Sequence, residues 1–173
     1  MMAYSFMEIK HESNIADSIL EYAKNDEAWF PYYNFAGKPL PYDLLEQDPF
    51  FKWLGNRYEY LGGVIKLDPY TCYDWHVDTR RGVGINMLLT PNGSVYSHSL
   101  FSRNKKEVSR NFMQLHYKPN TYYLYNTQHE HMVINFQKPR YMFSVEFLQD
   151  KDKLTFDRLL KDVEENYEKN SKK

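Results

Sequence analysis

Between Tyr58 and Leu148 the chain breaks into a succession of short stretches rich in Tyr, Phe, Val and Ile, each closed by a turn signal. The pattern predicts strands over 58–67, 70–77, 84–89, 95–101, 111–117, 121–125, 130–134 and 140–148. Pro91-Asn92-Gly93 and Lys118-Pro119-Asn120 read as tight turns between them. With 16 Tyr and 11 Phe the residue choice favours a pleated surface over a helical bundle. Many short strands at this spacing leave a β-sandwich or barrel as the available architecture.

The last of these stretches says which way its faces point. Arg140, Met142, Ser144 and Glu146 alternate with Tyr141, Phe143, Val145 and Phe147. The apolar set needs a cover, and the mixed polar set then faces an interior that is a site as well as a core. Helical spacing supplies the cover. Residues 13–25 place Ile15, Ile19, Tyr22 and Ala23 on one face behind a capping Ser13. Residues 48–54 form a short helix with Asp48 as cap, Pro49 at its first position and Gly55 as its stop. Residues 155–167 carry Phe156, Leu159, Leu160 and Val163 at the same spacing, followed by a Lys-containing tail that frays. The segment 29–49, with Pro31, Pro39, Pro41 and Pro49 among its aromatics, reads as irregular but packed.

At 173 residues one domain suffices, with a strand core over about 58–148 and helical extensions on both sides. A formal net charge of −1 gives no field to recruit nucleic acid or an anionic membrane. The lone Cys72 rules out an internal disulfide and suits a reducing compartment. The N-terminal MMAYSFMEIK has no signal-peptide core and no apolar run spans a membrane, so a cytoplasmic protein is expected.

The chemistry concentrates in YTCYDWHVD, residues 70–78. His76 and Asp78 stand two apart on strand-forming sequence, so they leave one face about 6.6 Å apart at the backbone and can bite one divalent ion. Alone, the pair also fits a surface strand with no metal. A further imidazole comes from HEHMVIN, where His129 and His131 share a face, and Arg140 follows. Two His and one carboxylate, with open positions opposite, form the facial triad of non-haem iron(II) oxygenases.

The order Tyr73-x-x-His76-x-Asp78, a His about fifty residues on and then an Arg resembles the 2-oxoglutarate- and iron(II)-dependent dioxygenase superfamily, most of all its prolyl 4-hydroxylase-like branch. The resemblance covers roughly 58–148 and implies a mainly β fold, a double-stranded β-helix (jelly roll) with flanking N- and C-terminal helices. It implies His76, Asp78 and His131 as iron ligands, with His131 chosen over His129 for its nine-residue spacing to Arg140. Arg140 would hold the distal carboxylate of 2-oxoglutarate in a two-pronged pair. Ser144, with Tyr58 or Tyr60, would add a hydroxyl there, and Asn86 is a further candidate. Family members often carry a Tyr on the strand before His-x-Asp, where this chain has Lys66 and Leu67. The implied reaction consumes 2-oxoglutarate and dioxygen, releases succinate and carbon dioxide, and hydroxylates a small molecule or a peptide side chain.

Other residues have plainer readings. His98 and His116 are expected as satisfied polar groups within the barrel, His11 as solvated, Trp75 on the outer face and Cys72 as a small buried filler. Arg80, Arg81, Lys105 and Lys106 read as solvated loop charges, and 29–49 or the loop 102–109 as possible lids. Two competing functions keep the fold. A cupin-type metal enzyme without a 2-oxo acid has no need of Arg140, and a non-enzymatic jelly-roll module has no need of the triad.

Overall fold

Two antiparallel sheets face one another across a cavity, and helices cover the outer side of the larger. The structure, a computed structural model, describes residues 4–25, 29–33, 35–106 and 108–170. In chain order the elements are β1 (Phe6–Glu12), α1 (Ala16–Lys24), β2 (Phe30–Tyr32), β3 (Phe35–Pro39), α2 (Tyr42–Leu45) and α3 (Pro49–Gly55). The strand-rich part follows as β4 (Tyr60–Leu67), β5 (Thr71–His76), β6 (Gly84–Leu88), β7 (Ser97–Lys105), β8 (Arg110–Leu115), β9 (Thr121–Tyr125), β10 (His131–Asn135) and β11 (Arg140–Phe147). α4 (Phe156–Asp162) closes the chain and continues as a wider π-helical stretch over Val163–Glu168. The large sheet has the order β1-β9-β6-β11-β4-β3-β2 and the small one β5-β10-β7-β8. From β4 onward the chain winds repeatedly between the two sheets, as a double-stranded β-helix requires.

The alternation of β11 decides the layering. Phe143, Val145 and Phe147 pack outward with Val64, Ile85 and Leu124 against Ile19 of α1, Phe50 and Phe51 of α3, and Leu159 of α4. Fully burying one such Phe contributes about 1.5–3 kcal/mol, so this outer core carries much of the stability. α3 starts where Asp48 accepts a hydrogen bond from the Phe50 amide at 2.8 Å, with Pro49 at its first position. Asn92 and Asn120 both adopt left-handed backbone, φ 54° and 52°, at the two expected turns.

Several expectations need correction. The described residues of 29–49 are not irregular: β2 and β3 extend the large sheet beside β4, tolerating Pro31 and Pro39 because β2 is an edge strand and Pro39 ends β3. β1, which its mixed sequence hid, pairs with β9 at the opposite edge. Through β1, His11 is not solvated; its Nε2 lies 2.7 Å from Asp48 Oδ1 and its Nδ1 2.8 Å from the Tyr167 hydroxyl. Ser13 does not cap α1, whose N-cap position is Ile15; its hydroxyl meets that of Tyr122 at 2.6 Å. Of the expected loop 102–109, the part up to Lys105 belongs to β7, paired with β8 as far as Lys105–Arg110, and the Lys106 amide donates to the Ser109 carbonyl at 2.8 Å. His98 lies on the outer face of the small sheet beside Gln114, and His116 is exposed, so neither is inside the barrel. The tail begins tied down, with Glu168 accepting from the Lys10 amide at 2.9 Å; its last residues, 171–173, lie outside the described ones.

Candidate metal centre

The strand that carries His76 departs from simple alternation. Tyr73 pairs with Val133 and His76 with His131, so three steps on β5 match two on β10. The extra residue is a β-bulge at Asp74–Trp75, and it re-aims the strand end. Tyr73 and His76, odd and even, therefore both face the cavity, their ring centroids 4.0 Å apart. Cys72 points out and is exposed rather than a buried filler. Trp75 is half-buried under the guanidinium of Arg110, whose carbon lies 4.1 Å from the ring centroid.

His76, Asp78 and His131 present one ligand atom each, all within 4.8 Å of one another. Asp78 Oδ1 stands 3.7 Å from His76 Nε2 and 3.9 Å from His131 Nε2. Local contacts fix which atoms are offered. The Nδ1 of His76 lies 2.6 Å from the Asp74 carbonyl, and that of His131 lies 2.8 Å from the His129 carbonyl. A carbonyl only accepts, so each Nδ1 carries the proton and each Nε2 keeps its lone pair for a metal. Burial, with His76 and Arg81 adding to it, pulls the His131 imidazole down to about 4 against the His129 carbonyl and Asp78. His131 is thus neutral, and able to ligate, at neutral pH.

Arg81 is no solvated loop charge. Its Nε and terminal nitrogen donate to Asp78 Oδ2 at 2.8 and 2.7 Å, leaving Oδ1 for the shared point. The Thr127 hydroxyl and Gln128 amide in turn donate to the Arg81 carbonyl. His129 is set apart from the cluster, its Nδ1 3.0 Å from the Ser5 hydroxyl.

The triad opens into a cavity of about 650 Å³ between the sheets. Arg140 lies in its wall, 4% exposed, and its terminal nitrogen donates to the Ser99 hydroxyl at 2.9 Å. Its Nε is buried without a hydrogen-bond partner, and so is the Oδ1 of Asn86. Among the described residues no carboxylate pairs with this guanidinium. Burial draws Arg140 below its ordinary value, while the phenols of Tyr117 and Tyr125 pull the other way. Burial raises the Tyr117 phenol, which Arg140, Ser99 and Asn86 surround.

The structure brings His76, Asp78, His131, Arg140, Ser144 and Asn86 to one cavity. It does not bring Tyr58 or Tyr60. Tyr58 donates to Asp162 Oδ2 at 2.8 Å and Tyr60 to the Phe51 carbonyl at 3.3 Å, both on the helix side of the large sheet. The hydroxyls beside Arg140 come instead from Ser99 and Tyr117. Tyr117 shares parity with Leu115, whose side chain is buried, and that alternation is the one sequence signal that could have found it.

No family model and no curated protein matches this chain by sequence. Solved structures match its fold. A prolyl-4-hydroxylase from Pseudomonas putida superposes with TM-score 0.61 at 10% identity, covering 85% of this chain and 94% of that one. A prolyl hydroxylase from Trichoplax adhaerens, in complex with a hypoxia inducible factor peptide, gives TM-score 0.62 at 13% identity over 86% and 84%. The non-haem α-ketoglutarate-dependent epimerase SnoN of nogalamycin biosynthesis gives 0.58 at 8% identity over 84% and 78%. With two sheets, flanking helices and a His-Asp-His cluster between them, the chain has the double-stranded β-helix fold of the 2-oxoglutarate- and iron(II)-dependent oxygenases.

Proposed function

We propose that this chain is a 2-oxoglutarate- and iron(II)-dependent dioxygenase that hydroxylates a peptidyl or free amino acid side chain. The observation that carries the reading is Arg140, a guanidinium buried without an acidic partner in the cavity onto which the triad opens. An uncompensated buried charge costs several kcal/mol, and an anionic ligand relieves that cost.

The donor set fits iron(II): two neutral imidazole nitrogens and one carboxylate oxygen on one side of a point, with space opposite. His76, Asp78 and His131 would hold the metal, and Arg81 keeps Asp78 single-toothed by occupying its other oxygen. Iron(II) with 2-oxoglutarate supplies dioxygen activation, converting the 2-oxo acid to succinate and carbon dioxide as a substrate C–H becomes C–OH. Arg140, with Ser99, Tyr117, Asn86 and Ser144 about it, would orient the distal carboxylate of 2-oxoglutarate, the unpaired Nε and Oδ1 being the atoms still to be satisfied. Phe101 from the small sheet and Met142 from the large one line the cavity from opposite sides and keep water from the reacting atoms. Three of the similar structures are prolyl hydroxylases, one with a peptide bound, which is the basis for an amino acid side chain as substrate. The single cysteine, unpaired, suits a reducing setting such as the cytoplasm. Among the described residues, no helix is long and apolar enough to cross a membrane.

The test is anaerobic addition of iron(II) and 2-oxoglutarate to the folded protein, followed by air. A weak visible charge-transfer band and then succinate release are expected. A folded protein giving neither would falsify the reading. Arg140→Ala should lose both at moderate 2-oxoglutarate; retention of full metal-dependent activity would point to a cupin-type enzyme.

A further inference from the structure

At the end of β11 away from Arg140, the inward face ends in Glu146, six residues on and therefore roughly 20 Å along the strand. Glu146 pairs in register with Gly84 of β6, just after the loop that carries Asp78 and Arg81. It is half-buried and lines the cavity, yet among the described residues it makes no hydrogen bond and no ion pair. The other carboxylate in the wall, Asp78, is matched by Arg81. Arg80 also borders the opening, but its side chain is exposed, where water and salt screen it.

The same cavity has an aromatic wall, of which Tyr32 comes within electrostatic reach of Glu146. Tyr32, Tyr33 and Phe35 come from the β2–β3 hairpin, and Tyr73 from β5. Their rings interlock: centroids lie 4.9 Å apart for Tyr32–Tyr33, 5.3 Å for Tyr32–Phe35 and 5.1 Å for Phe35–Tyr73. Tyr32 lies within electrostatic reach of both Glu146 and Asp78, and Tyr73 touches the ring of His76. Tyr33 is held there in left-handed backbone, φ 52°, a conformation that a bulky residue adopts only under constraint. Arg81, held on Asp78, also lies within electrostatic reach of Glu146 but makes no ion pair with it. Electron-rich ring faces beside a carboxylate that lacks a contact partner form a receptor for a cation, because the rings attract positive charge and the carboxylate pairs with it.

We propose that Glu146 sets substrate choice by pairing with an ammonium or guanidinium group, seated against Tyr32, Tyr33 and Tyr73. The substrate is then a basic amino acid, free or within a peptide. The inference rests on the proposed oxygenase reading, deepens it to a substrate class and assigns Glu146 a binding role, not a chemical one. Arg140 and Glu146 thereby divide the cavity by sign, the anionic co-substrate at one end and the cationic substrate at the other.

Calorimetric titration tests the proposal on the full chain loaded with manganese(II) and N-oxalylglycine. The probes are L-lysine, L-arginine and acetyl-capped Gly-Lys-Gly and Gly-Arg-Gly, each set against its neutral match containing norleucine or citrulline. At least one cationic probe should bind about tenfold or more tightly than its neutral match. The free and capped arms show whether the substrate is an amino acid or a peptide. Glu146→Gln should erase that preference, and Glu146→Lys should invert it towards L-glutamate. Equal binding of charged and neutral probes, binding of none, or a preference that survives Glu146→Gln overturns the proposal. The iron–2-oxoglutarate absorption band separates the two claims: band present with no cation preference sinks only the substrate class, whereas band absent sinks the oxygenase reading.

Discussion

Two polar clusters are buried in this molecule, on opposite sides of the large sheet, and they are built differently. Behind the sheet, Asp48 is wholly buried and every oxygen is used: Oδ1 accepts from the Phe50 amide and meets His11, and Oδ2 accepts from the Tyr122 hydroxyl at 2.9 Å. Ser13 and Tyr167 complete the set. In front of the sheet, Arg140 is buried and Asn86 half-buried, yet Nε of one and Oδ1 of the other are shut from solvent with no partner. A closed network ties β1, α3, β9 and the C-terminal helix into one body. An open one keeps its unmet bonds for a ligand. Satisfaction, more than burial, separates the structural cluster from the site.

The largest expected effect tests the closed cluster. Asp48→Ala removes a helix cap and strands the His11 and Tyr122 groups, so unfolding free energy in denaturant should fall by about 3–5 kcal/mol. The open cluster should answer with the opposite sign. Arg140→Met replaces a buried, unpaired charge with apolar volume; stability of the ligand-free protein should hold or rise by about 1–4 kcal/mol. The same change should raise the KM for 2-oxoglutarate about a hundredfold or more. If Arg140→Met destabilises as Asp48→Ala does, the contrast between the clusters fails.

A smaller effect sharpens the contrast by pH. The His131 imidazole sits near 4 in the folded protein against an ordinary value of 6.5. Between those values the unfolded chain binds a proton that the folded chain refuses. The metal-free protein should therefore have its full stability above pH 6.5 and lose part of it as pH falls towards 4. Melting curves across that range check it, and His131→Gln should flatten that part of the slope.

What the sequence revealed follows from which signals are local. The alternation of Arg140 to Phe147 predicted both faces of β11 because a strand has a fixed period and one face here is apolar throughout. Asp48-Pro49 announced α3 because the cap acts within three residues. The resemblance named the three candidate ligands, and the structure brings them together, because their order along the chain survives folding. Tyr58 was misplaced because its stretch begins before β4 does, so its hydroxyl answers to α4 and not to the cavity. Arg81 passed as a loop charge because nothing local reveals that the 126–128 turn grips its carbonyl. β1 stayed hidden because FMEIKHE has little strand character of its own and is held by pairing with β9. Tyr117 escaped because it lies past the end of β8, where its neighbours come from three other strands.

The bulge at Asp74–Trp75 bears on how such a centre can be moved or lost. Deleting either residue would leave every ligand in the chain and every spacing downstream of it unchanged, yet would rotate Tyr73 away from the interior or His76 out to solvent. Grafting YTCYDWHVD onto a flat strand of another scaffold would meet the same obstacle, since the recipient would lack the one-residue surplus over its neighbour. The geometry of this cluster is therefore written in the count of residues between partners as much as in their identity, and a library that permits insertions and deletions in β5 should lose the proposed metal binding where one that permits only substitutions at 74 and 75 keeps it.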